Sequence, residues 1–311
     1  MRVVFFGTPE FAVPSLKALV SEQHEVTAVF TQPDRPKGRG NKLAASPVKS
    51  AALTLELVVH QPERVRRPEI VEQLRSLHAD LMVVVGFGQI IPQSIIDLPQ
   101  HGILNVHASL LPKYRGAAPI QWAIANGEQQ TGVTIMQIDA GLDTGDMLLK
   151  QAVEIGPDET APELSARLAP LGAGLLVQAI RQIAAGSIGR EKQNDSEATY
   201  APILKKTDGE IDWHRPARQI YNRLRGFTPW PGAYSTFRGK TLLVLRASVA
   251  ENCVVPIGEI RIENRRLLAG CGENSALELL EVQPAGKNRI QASAFMNGYQ
   301  VADGEKLGDR I

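Results

Sequence analysis

The stretch Ile103-Leu-Asn105-Val-His107-Ala-Ser109-Leu-Leu-Pro112 opens as an apolar run and closes on polar side chains and a proline turn. Residues 103–106 read as a buried strand. Side chains at i and i+2 of a strand share a face, so Asn105 and His107 project into one space where that strand ends. A neutral imidazole accepts a proton near pH 7, and a carboxamide donates to a developing oxyanion. The pair suits acyl transfer and needs a third group to orient the imidazole. The segment Asp139-Ala-Gly-Leu-Asp143-Thr-Gly-Asp146 offers three carboxylates. Taken alone, these aspartates also read as turn formers, with Gly141 and Gly145 supplying positive φ. They lack the twelve-residue ligand spacing of a calcium loop.

Outward from this stretch, the first half of the chain alternates strand-like and helix-like segments. Strands are expected over 3–6, 26–30, 81–85 and 103–106, and helices over 15–21 and 120–126. Continuous apolar strands separated by helices indicate a mostly parallel, Rossmann-like sheet covered on both faces. Ligand sites in such α/β folds lie beyond the C-terminal ends of strands, where Gly7, Gly86 and residues 105–107 all fall. Residues 131–138 and 146–155 read as an antiparallel pair, and a long helix is expected within 159–185. Beyond residue 209, short strand candidates over 234–237, 241–250, 258–262, 266–271 and 276–283 alternate with Gly, Asn and Pro, the pattern of a small β-barrel. The expected organisation is a catalytic domain over 1–189, a linker over 190–207 and an OB-like β-barrel domain over 208–311.

Composition narrows the function. A length of 311 residues suits two domains, and a net charge of +1 gives no global field toward a polyanion. The two cysteines, Cys253 and Cys271, have no metal-ligand spacing and imply no disulfide framework. No apolar run approaches a membrane span and the cysteines suit a reducing cytosol, so a cytoplasmic protein is expected; a monomer is expected as well. The turn Gly7-Thr-Pro-Glu-Phe11 lacks both the dinucleotide and the triphosphate glycine patterns. The segment Thr31-Gln-Pro-Asp-Arg35-Pro-Lys37-Gly-Arg39-Gly-Asn-Lys42 carries four cations, two prolines and two glycines. It is expected to form no regular element, and reads either as an exposed loop or as a cationic arm for phosphates.

Several segments appear in a fixed order: Phe6-Gly-Thr-Pro-Glu-Phe11, the cationic segment, Gly86-Phe-Gly-Gln-Ile-Ile-Pro92, Asn105 to Pro112 with Arg115-Gly-Ala-Ala-Pro-Ile120, and Asp139 to Asp146. Together they resemble the 10-formyltetrahydrofolate-dependent formyltransferases. The cationic segment and Tyr221-Asn-Arg-Leu-Arg-Gly-Phe-Thr-Pro-Trp-Pro-Gly232 resemble the branch that formylates methionyl-tRNA, so the likeness covers nearly the whole chain. The resemblance implies attack of the methionyl α-amine of initiator tRNA on the formyl carbon. Asn105 would hold the oxyanion, His107 would move protons, and Asp143 would orient the imidazole. By the same resemblance, Ser109, Leu110, Leu111 and Pro112 line the folate crevice, with Phe87, Gly88 and Gln89 near the pterin, and no metal is needed. The tRNA would meet Arg35, Lys37, Arg39 and Lys42. Lys205, Lys206 and Arg223, with Arg215, Arg218 and Arg225 nearby, form a second candidate phosphate surface.

Two rival functions share parts of this pattern. A formyltransferase for a small amine would keep Asn105, His107 and Asp143 without needing a cationic arm. A non-catalytic RNA-binding module would keep the arm and have no use for the three.

Overall fold

Val3, Val4, Phe5 and Phe6 are wholly buried, which requires cover on both faces of their strand and fixes it at the centre of a sheet. The computed structural model of the chain describes residues 1–37 and 42–308. It divides into two compact units, one of Met1–Pro119, Gln130–Glu154 and Leu164–Pro202, the other of Ile120–Gln129, Ile155–Glu163 and residues 203 onward.

In the first unit, strands β1 (Arg2–Gly7), β2 (Glu25–Phe30), β3 (Arg35–Lys37), β4 (Lys42–Ala44), β5 (Val59–His60), β6 (Leu81–Val85), β7 (Ile103–His107), β8 (Arg115–Gly116), β9 (Gln130–Gln137), β10 (Met147–Glu154) and β11 (Tyr200–Ala201) form three sheets. The main sheet has the order β10-β9-β7-β6-β1-β2-β5. Its pairs from β7 to β5 are parallel, while β9 runs antiparallel to β7 and to β10. Helices α1 (Val13–Ser21), α2 (Pro47–Thr54), α3 (Pro68–Ser76) and α4 (Gln93–Ile96) lie between the parallel strands in sequence. Phe6 stacks on Phe30 at 5.0 Å and meets Phe87 edge-on at 5.3 Å, within an apolar cluster that includes Met82, Ile95 and Ile103.

The cationic segment is partly regular, contrary to expectation: β3 pairs antiparallel with β4. Neither proline prevents this, because a two-stranded ribbon leaves each strand one edge where no donor is required. Just before β3, Asp34 accepts hydrogen bonds from Lys49 Nζ at 2.6 Å and Gln61 Nε2 at 2.7 Å. Arg39 lies outside the described residues.

Elements of the second unit include α5 (Pro119–Ala125), α7 (Ala217–Gly226) and α8 (Ala292–Tyr299); α6 (Ala161–Ala184) is the long helix expected within 159–185. Strands β12 (Ala233–Phe237), β13 (Lys240–Ala250), β14 (Ile260–Glu263), β15 (Arg266–Cys271) and β16 (Ser275–Pro284) form an antiparallel sheet of order β12-β13-β16-β15-β14, and β17 (Ile290–Gln291) pairs with β16. Inward-facing Leu242, Val244, Leu267, Leu277 and Leu279 meet Phe295 of α8 and Ile220 of α7 in one core. The alternating burial of β12 follows from having a single covered face.

Candidate active site

Strand β7 carries the site to its position. Leu104 and Val106 are buried on the face opposite Asn105 and His107. Register places Asn105 opposite Val84 of β6 and Met136 of β9, and His107 opposite Thr134. The loop after β9 leads to Asp143. Its carboxylate lies between the two β7 side chains: Asn105 Nδ2 donates to Oδ1 at 3.2 Å, and His107 Nδ1 is 3.7 Å from Oδ2. The Gly116 backbone N–H donates to Oδ2 at 2.8 Å.

His107 is 5% exposed, and its Nε2 lies 2.9 Å from the Tyr114 carbonyl. A carbonyl only accepts, so Nε2 carries a hydrogen. In the neutral ring, Nδ1 therefore holds the lone pair and faces Asp143. A proton arriving at Nδ1 would sit against a carboxylate. Asn105 has two amide hydrogens and spends one on Asp143, which leaves the other for a substrate atom. The site thus combines one aligned base with one uncommitted donor, the minimum for acyl transfer.

Of the three loop aspartates, the structure brings only Asp143 to the imidazole. Asp139 closes its own turn, accepting from the Gly141 N–H and from Thr144 Oγ1. The positive φ expected at Gly141 and Gly145 falls instead on Asp143, at +52°. Gly145 answers a different constraint: a Cβ there would lie 1.8 Å from the Gln137 carbonyl oxygen.

Residues 1–180 match the formyl transferase family model, and residues 203–300 match that of the formyl transferase C-terminal domain. The chain belongs to the formyltransferase family. Over 311 residues it is 61% identical to the methionyl-tRNA formyltransferase of Solibacter usitatus, covering 99% of both chains. It is 57% identical over 309 residues to the protein of that name from Koribacter versatilis, again covering 99% of each. Among solved structures, it resembles WlaRD, a sugar 3N-formyltransferase crystallised with dTDP and 5-N-formyl-THF. The TM-score is 0.69 at 19% identity, covering 93% of this chain and 99% of that one. HypX from Aquifex aeolicus in complex with tetrahydrofolic acid gives a TM-score of 0.63 at 18% identity, with 100% of this chain and 49% of that chain covered. At these identities the structural likeness concerns the fold.

The residues that the formyltransferase resemblance assigns to folate have different surroundings. Ser109 is fully buried; its Oγ donates to the Lys113 carbonyl at 2.6 Å, and its own carbonyl accepts from Thr134 Oγ1 at 2.7 Å. Leu111 is buried with Met136 and Met147. Leu110 and Pro112 stay half-buried, so they are the members of that turn with surface to offer. Phe87 is 1% exposed and belongs to the core. Its carbonyl accepts from Thr8 Oγ1 and from Gln32 Nε2, both at 3.1 Å. Gln89 is committed to Val65 N and to the Pro62 carbonyl. What remains for a ligand at 86–89 is chiefly backbone around Gly88.

Among the candidate tRNA contacts, Arg35, Lys205 and Lys206 are exposed, as are Arg215 and Arg218. Arg223 is half-buried, lying 4.8 Å over Phe227 and donating to the Asp208 carbonyl at 2.9 Å. Arg225 turns inward, where Nη1 reaches the Gly156 and Glu159 carbonyls at 3.0 Å and Nε reaches Asn222 at 3.1 Å.

Of residues 190–207, expected as a linker, those up to Pro202 group with the first unit. The Met147 and Glu191 backbones exchange hydrogen bonds, Gln193 reaches the aspartate loop, and β11 pairs with β8. Sequence reading found no role for Gln193, Thr199, Tyr114 or Thr134. The Tyr114 contribution is a carbonyl, which no side-chain pattern reports.

Proposed function

We propose that the chain transfers the formyl group of 10-formyltetrahydrofolate to the α-amine of methionine on initiator methionyl-tRNA, giving N-formylmethionyl-tRNA for translation initiation. The observation that carries this is the Asp143 carboxylate set between Asn105 and His107 in a member of the formyltransferase family. Full-length relatives named for the tRNA reaction support the choice of acceptor.

The folate cosubstrate supplies a formyl group already activated for transfer. We place it beyond the C-terminal ends of β6 and β7, which are adjacent and parallel, so the loops following both strands leave the same edge of the sheet. Half-buried Leu110 and Pro112 provide an apolar wall there. The free Asn105 amide hydrogen donates to the formyl oxygen as negative charge builds on it. His107 Nδ1 takes a proton from the attacking amine, and Asp143 faces the imidazolium that results. His107 then returns the proton to the departing folate nitrogen, so one N–C bond forms, one breaks and the imidazole ends neutral. On this reading His107 is the proton acceptor, while Asp143 orients and stabilises it.

The acceptor end of tRNA is assigned to Arg35, Lys37, Arg39 and Lys42, and its phosphates to exposed Lys205 and Lys206 beside Arg223. Residues 208–311 form an OB-like tRNA-binding domain in this proposal, and the enzyme acts in the cytoplasm. No helix among the described residues is long and apolar enough to cross a membrane.

The test is production of tetrahydrofolate and N-formylmethionine from 10-formyltetrahydrofolate and charged initiator tRNA. His107→Ala should lower turnover by about 10²–10⁴-fold with tRNA affinity retained. No product with charged tRNA, but product with a nucleotide-linked amino sugar, would overturn the acceptor assignment.

A further inference from the structure

We propose that residues 191–201 are a working part of the active site, with Gln193 and Thr199 as positioning residues for Asp143 and His107. The proposal rests on the formyl-transfer reading above. Gln193 Nε2 spends both hydrogens on the aspartate loop, donating to the Asp143 and Gly145 carbonyls, each at 2.8 Å. Its Oε1 accepts from Arg115 Nε at 3.0 Å and Nη2 at 2.8 Å. Arg115 is 3% exposed, and its second partner is Asp195 at 2.8 Å. The next residue, Gly116, donates its backbone N–H to the Asp143 carboxylate. One glutamine amide therefore ties the Asp143 backbone to the segment whose N–H holds the Asp143 side chain. The carboxylate is fixed from both ends.

Thr199 does the corresponding work for the imidazole. Its Oγ1 accepts from the Tyr114 N–H at 2.9 Å, and its carbonyl accepts from the Arg115 N–H at 2.9 Å. Tyr114 has φ +62°, a conformation that a bulky residue holds only when its surroundings over-determine it. The carbonyl of this residue sets the His107 tautomer. Removing Thr199 Oγ1 takes the partner from the Tyr114 N–H and so removes one restraint on this φ, while the Thr199 backbone carbonyl still holds the Arg115 N–H; the Tyr114 carbonyl then shifts against Nε2 rather than leaving it, which loosens the hold on the lone pair at Nδ1. Gln193 and Thr199 belong to one short segment held at both ends, by the Met147–Glu191 pairing and by the pairing of β8 with β11. Neither side chain is assigned contact with substrate; each acts through Asp143 or His107.

The experiment is a double-mutant cycle. Misplacing a reacting group by about 1 Å costs about 10²-fold in rate. Gln193→Met, close in size and unable to donate, should lower kcat roughly 10–100-fold with both KM values within about threefold. Rates are referred to the number of sites that bind 5-formyltetrahydrofolate, so that a misfolded fraction does not count. In an Asp143→Asn background the same change should cost less than about twofold, because groups acting as one unit are not additive. A purely structural role for Gln193 would give equal factors in the two backgrounds and would overturn the proposal, as would unchanged kcat in Gln193→Met. Thr199→Val, paired with His107→Ala, tests the second arm by the same criterion, and stands alone if substitutions at 193 do not fold. Failure of the wild-type chain to transfer formyl would instead remove the reading on which the proposal rests.

Discussion

Replacing Asn105 with alanine separates oxyanion stabilisation from the rest of the site. The side chain is half-buried on β7, and one of its two amide hydrogens is spent on Asp143 Oδ1 at 3.2 Å. Truncation removes that bond and the uncommitted hydrogen together. Asp143 keeps its place, because the Gly116 N–H at 2.8 Å still holds Oδ2. The native bond is long and partly exposed, so its loss should destabilise the fold by about 0.5–1.5 kcal/mol, a shift in Tm of a few degrees. The uncommitted donor matters only once charge develops on the formyl oxygen. Losing one such donor costs about 2.7–4 kcal/mol in the barrier, or roughly 10²–10³ in kcat. Ground-state binding makes little use of it, so KM for folate and for tRNA should move less than about threefold. Single-turnover formyl transfer at saturating cosubstrate, followed by acid quench and quantification of N-formylmethionine, measures the step directly. A loss below about tenfold, or a loss carried by KM with kcat intact, would refute the assignment of Asn105 to the oxyanion.

Gly145→Ala should lower kcat by about 10²-fold without any change to a reacting group: the new Cβ would lie 1.8 Å from the Gln137 oxygen, so the loop bearing Asp143 must shift by about 1 Å. A rate within threefold of wild type would contradict it. Of the two cysteines, Cys271 is 1% exposed and burial pushes its thiol up to about 12, so at pH 8 a thiol reagent should titrate one group, Cys253, in the native chain and two after denaturation; two fast equivalents would refute this. Burial lowers the pKa values of His24 and His60 below the ordinary 6.5, with the N-terminal charge adding to the effect at His24. The unfolded chain therefore binds protons that the folded chain does not as pH falls below 6.5, and the urea midpoint should decline from pH 7 toward pH 5. A flat profile would count against both.

Periodicity exposed what was local. The alternation of two along 103–107 put Asn105 and His107 on one face, and the bounds expected for 81–85 and 266–271 coincide with β6 and β15. The choice of Asp143 over Asp139 and Asp146 came from resemblance, because three carboxylates in one turn are equivalent until the chain is folded. Helix α2 went unread although it begins with a strong signal, Ser46 followed by Pro47, where Ser46 Oγ accepts from the Lys49 N–H at 3.0 Å. The order within residues 190–202, read as part of a linker, was hidden for a different reason. It comes from backbone pairing with Met147, about forty positions before Glu191, and with β8, about eighty-five positions before β11, in runs of one or two residues. Such runs are too short to leave a period, and a glutamine facing two carbonyls looks in sequence like any polar residue in a loop.

The geometry of Asp143 argues that its side chain, and not its turn, is what the loop presents. A left-handed residue other than glycine costs about 1–2 kcal/mol, and aspartate tolerates it better than most. A loop needing only to reverse direction would relieve that cost with glycine at 143, since Gly141 and Gly145 already flank it. Glycine there would keep the backbone path, including the 143 carbonyl that Gln193 holds. It would also delete the one carboxylate among the described residues that meets both Asn105 and His107. The backbone cost is tolerated at the position whose carboxylate faces Nδ1, where the proposed mechanism uses a charge, and the hydrogen bonds from Gly116 and Gln193 fall at that same residue. Conformational strain, carboxylate and supporting donors converge on one residue, the arrangement expected where a charge is to be held in a fixed place.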